Sequence, residues 1–145
     1  MVKVTVDSGA VTTVGPRAVC AAFPIEETPA SKAGKHFVGA NGSVIKNYGV
    51  RKVTGRTKRE GHEIRMPIQA ADVMKILASV HQMMHAGNRV VVDSEGSYIQ
   101  HKQTGRRTEM RDDGGGFTFE MLVPRKVQSS FQRQVAALQT LSEQI

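Results

Sequence analysis

A mainly β fold with one internal helix and one C-terminal helix is what this sequence predicts, and three observations predict it. Val2, Val4 and Val6 alternate with Lys3 and Thr5, the period-two pattern of a half-buried strand. Asn41-Gly42 stands between the apolar pairs Phe37-Val38 and Val44-Ile45, the strongest short-range hairpin signal in the chain. After residue 89, short strand-like runs at 90–92, 98–101, 106–110 and 117–123 are separated by Gly96, Gly105 and Gly114-Gly115-Gly116, the layout of an antiparallel meander.

Taken in order, the first strand delivers Asp7 into the turn Asp7-Ser8-Gly9. Residues 15–35 carry Pro16, Pro24 and Pro29 amid mixed polarity, which reads as a meandering loop with one short strand. The hairpin with its tip at Asn41-Gly42 follows, then strands around 50–53 and 63–68 joined by a polar turn over 54–61. Asp72 caps a predicted helix in which Val73, Ile76, Leu77, Val80, Met83 and Met84 recur at helical spacing, and Gly87-Asn88 stops it. Beyond Pro124, Val127, Phe131, Val135, Leu138, Leu141 and Ile145 fall at steps of three or four, a terminal helix with one apolar stripe. That stripe would cover its own domain, a partner helix, or lead into a further segment. The expected organisation is a core over 1–89, a meander over 90–123 that extends the same domain, and a C-terminal helix over 124–145.

Composition bounds the chemistry. A chain of 145 residues with 39% hydrophobic content suits one domain with a modest core, and 14 glycines with 5% aromatics favour turns and short strands. The net charge of +7 comes from basic residues over 51–65 and 106–111 interleaved with Glu60, Glu63 and Glu109, so a solvated basic surface is expected and nucleic acid is not an expected partner. The single cysteine, Cys20, cannot form an internal disulfide and has no evident base partner for nucleophilic work. No apolar run of about 18 residues occurs, so no membrane partner is expected; nor does a signal-like segment, and the setting predicted is intracellular.

Asp7-Ser8-Gly9 after an apolar strand suits a carboxylate that must be held rigidly. Ser8 can bond neighbouring backbone or a symmetry mate, and Gly9 permits close backbone approach. As an isolated tripeptide it is also an ordinary turn. His81 and His85 lie one helical turn apart, but a zinc hydrolase would want Glu where Gln82 stands and a third ligand, so surface histidines and no metal are expected. The glycine-rich stretches lack the Lys-Ser/Thr of a phosphate loop, and no cofactor is expected.

In order, Asp7-Ser8-Gly9-Ala10, the Ala40-Asn41-Gly42-Ser43 tip followed by Gly49-Val50, and Leu77-Ala78-Ser79-Val80-His81-Gln82-Met83 resemble the retroviral aspartic proteases, and among them the copia-type retrotransposon group with its Asp-Ser-Gly-Ala motif. The resemblance spans roughly residues 2–110, and Gln103-Thr104-Gly105 resembles the stretch beyond the protease core in those polyproteins. The terminal helix from Val127 has no counterpart in it. It implies a retropepsin-like closed β-barrel, one half of an acid protease, with residues 39–43 (Gly39, Ala40, Asn41, Gly42, Ser43) as the flap and Leu77, Ala78 and Ser79 as a core motif.

It further implies catalysis by Asp7, supported by Ser8, Gly9 and Ala10, in a homodimer that cleaves a peptide or polyprotein substrate. Two facing Asp7 carboxyls would share one proton, one acting as base on a water and the other as acid. With only six residues ahead of Asp7, the chain is expected to be a piece of a longer polyprotein, located in the cytoplasm or a retroelement particle. The alternative is a catalytically silent protease-like scaffold or nucleic-acid-associated domain, motivated by the +7 charge.

Overall fold

The computed structural model describes residues 1–125, so the predicted C-terminal helix lies outside the described residues. The chain is mainly β, as predicted. Its strands are β1 (Val2–Asp7), β2 (Val14–Pro16), β3 (His36–Val38), β4 (Val44–Thr57), β5 (Glu63–Ala71), β6 (Ile76–Ser79), β7 (Asn88–Val91), β8 (Ser97–His101), β9 (Arg107–Asp112) and β10 (Phe117–Leu122). Two short helices are α1 (Pro29–Lys32) and α2 (Val80–His85).

The strands form one mixed sheet in the order β3-β4-β5-β2-β6-β1-β10-β9-β8-β7. It does not close into the expected barrel. The edge strands β3 and β7 have no outer strand neighbour among the described residues, and the sheet touches itself where β10 meets β4 over only two pairs, Met121 with Thr57 and Leu122 with Arg56.

β1 occupies the interior of this order. It runs parallel to β6, with Val4 opposite Ile76 and Asp7 opposite Ser79, and antiparallel to β10, with Val2 opposite Met121 and Val6 opposite Phe117. With strands on both sides its burial exceeds that of a one-faced strand: Val4 is fully buried, and Thr5 on the other face is buried too.

The segment after Asp72 departs from expectation. Helical spacing predicted a helix from Asp72 onward, but Ile76–Ser79 is a strand inserted between β1 and β2, and the helix begins only at Val80. The spacing of Ile76, Leu77 and Val80 fits either state over so short a run, and the parallel pairing with β1 decides it. Ser79 is the cap that Asp72 was expected to be, its side chain accepting from the Gln82 amide.

β4 and β5 are longer than predicted, because the hairpin arm and the strand after it are one continuous β4 that kinks at a bulge between Asn47 and Gly49. The four-strand meander from β7 to β10 forms as predicted. The core gathers Val4, Val53, Ile64, Met66, Ile68, Ile76, Met83, Ile99, Phe119 and Met121. In a chain poor in aromatics, the fully buried Met66, Met83 and Met121 fill the irregular gaps that rings would fill elsewhere.

One loop is tied down from above. Arg51 of β4 is buried, and its guanidinium donates to the carbonyls of Arg17 and Phe23, while Glu26 and Val50 exchange two backbone hydrogen bonds of 2.8 Å. These bonds seat the 17–26 segment on the β4 bulge. The seat requires glycine at 49, whose φ is +123° and where an added Cβ would lie 2.3 Å from the Glu26 oxygen.

Gly42 also has positive φ, but a Cβ there would meet open space. Gly42→Ala is therefore expected to cost about 1 kcal/mol, and Gly49→Ala at least about twice that, read as the difference in denaturant unfolding free energy. Equal losses would show that the 17–26 segment is not seated on the bulge.

Candidate active site at the end of β1

Asp7 is the last residue of β1 and half-buried. Its carboxylate Oδ1 accepts from the Gly9 amide at 2.8 Å, the only hydrogen bond to it among the described residues. An added Cβ at Gly9 would lie 3.3 Å from that same oxygen, so glycine lets the turn fold back onto the carboxylate. Ser8 is exposed and its hydroxyl has no hydrogen-bond partner among the described residues, so the local backbone contact expected for it does not form.

The turn after Asp7 is fixed by a set of polar contacts from β6 and α2. The Ser79 hydroxyl, fully buried, donates to the Ala10 carbonyl at 2.7 Å and accepts from the Gln82 amide at 3.0 Å. The Ser79 amide donates to the Thr13 hydroxyl at 3.0 Å. The Gln82 side-chain oxygen then accepts from the Thr12 hydroxyl at 2.9 Å and from the Thr13 amide at 2.8 Å. Asp7-Ser8-Gly9-Ala10 and the Leu77-Ala78-Ser79 segment, separated by some seventy positions in the sequence, are thus brought together. Leu77 pairs with Thr5 and Ala78 with Val6, which carries the same register up to Asp7 and Ser79.

Thr12, Thr13 and Gln82 were missed as supporting residues. Gln82 counted only as the wrong residue for a zinc hydrolase, yet Ser79-x-x-Gln82 is the spacing of a helix N-terminal capping box and marked the start of α2. Here the glutamine side chain serves the turn after Asp7 instead of its own cap.

The predicted flap residues form the tip between β3 and β4. The Gly39 amide donates to the Ser43 carbonyl at 2.8 Å, the Gly42 amide to the Gly39 carbonyl at 2.9 Å, and the Ser43 amide to the Asn41 side chain at 3.0 Å. Ala40 lies at the apex, and the flanking Val38 and Val44 are 70% and 67% exposed. No hydrogen bond or strand pairing joins this tip to Asp7 among the described residues.

The base of the hairpin is held separately. The Tyr48 hydroxyl donates to the Asp72 carboxylate, 2.9 and 3.1 Å from its two oxygens. Arg17 lies 4.1 Å over the Tyr48 ring and 3.8 Å from Asp72. The hydrogen bond to Asp72 raises the Tyr48 phenol above its ordinary range, because ionising it would forfeit that bond.

The other aspartates are engaged elsewhere. Asp93, Asp112 and Asp113 accept backbone amides in their own turns, and Asp113 also pairs with Lys3 at 3.6 Å. The Gly115 amide, ahead of Lys3, holds the Asp113 carboxyl below its usual range. Cys20 is buried, which raises its thiol and leaves it unsuited to nucleophilic work. The His81 and His85 rings meet edge-on with centroids 4.5 Å apart, and no group of three or more potential metal ligands occurs among the described residues.

Comparison with family models, curated proteins and solved structures found no match for this chain.

Two outcomes test this geometry. Gln82→Ala is expected to speed hydrogen exchange of the Thr13 amide and to cost about 1–3 kcal/mol of stability through the donors it leaves unpaired; unchanged exchange at Thr13 would remove Gln82 from the clamp. In a spectrophotometric titration Tyr48 should ionise above the ordinary tyrosine range, and Asp72→Asn should bring it down. No change in that variant would contradict the Tyr48–Asp72 bond.

Proposed function

We propose that this chain is one subunit of a homodimeric aspartic endopeptidase, with Asp7 as the carboxylate each subunit contributes. The observation that carries the reading is the setting of Asp7. It stands at the end of a central strand, held among the described residues by the Gly9 amide, on a turn that Ser79 and Gln82 fix from behind. A rigid turn around a carboxylate without a cationic partner among the described residues is what water activation needs, since the carboxylate remains available to take a proton.

In this reading a two-fold axis brings two Asp7 residues together. The ionised one takes a proton from a water, whose oxygen attacks the scissile carbonyl carbon. The protonated one donates to the carbonyl oxygen, and proton transfer to the amide nitrogen releases the two product chains. Ser8, whose hydroxyl has no hydrogen-bond partner among the described residues, bonds across the axis in this reading. The Gly39–Ser43 tip, with Val38 and Val44 exposed beside it, closes over an extended peptide and offers backbone groups to it. The substrate class that fits is a polyprotein segment in extended conformation.

The test is cleavage of a peptide library at about pH 5, where one carboxyl of such a dyad is protonated. Wild type should cleave a defined subset, and Asp7→Asn should lose at least about a thousandfold in rate, the scale expected for removing the group that activates the nucleophile. Equal cleavage by the two proteins would remove Asp7 from the chemistry.

A further inference from the structure

Part of the positive charge that the sequence spreads out is gathered at one end of the meander, in Arg89, Lys102, Arg106 and Arg107. β7, β8 and β9 are antiparallel, so Asn88, Arg89 and the β8–β9 turn lie at one end of it. Asp93, Glu95, Asp112 and Asp113 sit in or beside the turns at the opposite end. Arg89 is opposite Gln100, and Gln100 is opposite Arg107. Residues directly opposed across strands project from the same face, so two guanidinium groups from distant positions flank one glutamine in a single row.

The alternate residues settle which face this is. Asn88, Ile99 and Thr108 are buried, while Arg89, Lys102, Arg106 and Arg107 are exposed. Tyr98 shares the outer face, two positions along β8 from Gln100, and the Arg107 guanidinium lies 3.9 Å over its ring. No acidic side chain pairs with Arg89, Lys102 or Arg107 among the described residues. Glu109, opposite Tyr98 in the neighbouring row, lines a hollow of about 450 Å³ of mixed charge, with Lys58, Arg59 and Arg111 beside Glu60 and Glu120.

We propose that this face of β7, β8 and β9 binds single-stranded nucleic acid. Cations in a row meet successive phosphates, and the Tyr98 ring capped by Arg107 offers a stacking platform for a base, the pairing of features that single-strand binders use. A row of charges alone would take any polyanion; the aromatic beside it selects for unpaired bases. The inference rests on the meander and is independent of Asp7.

The experiment measures fluorescence anisotropy of a labelled 20-nucleotide single-stranded RNA with the full chain. Arms with the same sequence as duplex, with heparin and with polyglutamate compete for the site. Binding should weaken roughly tenfold or more between about 50 and 200 mM salt, the slope for about three phosphate contacts. Arg89→Glu with Arg107→Glu should weaken binding at least tenfold. The milder Arg89→Gln with Lys102→Gln, which leaves the Tyr98 stack in place, should weaken it at least threefold. The same charge change elsewhere, Lys35→Glu with Arg65→Glu, should change it less than threefold. Tyr98→Leu should weaken RNA binding and leave heparin binding unchanged.

The proposal is overturned by absence of binding at about 50 mM salt, a concentration at which phosphate contacts are strong. It is equally overturned by equal losses in the two Glu double variants, by duplex binding tighter than single strand, or by heparin or polyglutamate competing as well as RNA.

Discussion

The buried hydroxyl of Ser79 is the contact on which the rest of the candidate site depends. It sits where β6 ends and α2 begins, and it holds three things at once. It receives the Gln82 amide that starts the helix, it donates to the Ala10 carbonyl of the Asp7 turn, and its own residue pairs with Asp7 across parallel strands. Replacing it with a residue unable to bond would leave a carbonyl and an amide unpaired in a dry interior. The helix start and the Asp7 turn would loosen together. Gln82 extends the same clamp to Thr12 and Thr13, so the carboxylate at Asp7 inherits its rigidity from two elements far along the chain.

That arrangement is possible because β1 lies inside the sheet. A strand flanked by β6 and β10 cannot shift register without breaking ladders on both sides, and Val4 would leave the core. The other half of the molecule is built around β4. Its bulge at Gly49 receives the 17–26 segment, its buried Arg51 binds two carbonyls of that segment, and its Tyr48 reaches Asp72. The hairpin base is therefore anchored while Val38 and Val44 beside its tip stay exposed.

Much of this was legible in the residues. The Val2/Val4/Val6 alternation, the Asn41-Gly42 tip and the glycine-punctuated meander each became the element predicted, because local turn chemistry and period-two burial agree with the fold there. The stretch over 72–84 was misread for a physical reason. Ile76, Leu77, Val80 and Met83 satisfy helical spacing, and nothing local reveals that Ile76, Leu77, Ala78 and Ser79 pair with a strand some seventy positions earlier. The support from Thr12, Thr13 and Gln82 was hidden likewise, since side-chain bonds between distant segments have no sequence period. The charged row of Arg89, Gln100 and Arg107 exists only through strand register, and the same charges read as dispersed along the chain. The place of Asp7 at the end of a strand was legible; the clamp of Ser79 and Gln82 behind its turn was not.

The central claim is that chemistry requires two copies of Asp7, and subunit mixing tests it most directly. Wild-type chain held at fixed concentration is equilibrated with an equal amount of Asp7→Asn chain, above the concentration at which pairing is complete, and peptide cleavage is measured. A shared two-fold site predicts that half the wild-type chains are drawn into mixed, inactive dimers, so activity falls to about half that of the same wild-type amount alone. Undiminished activity in the mixture would mean that one chain carries the whole site, and would contradict the account.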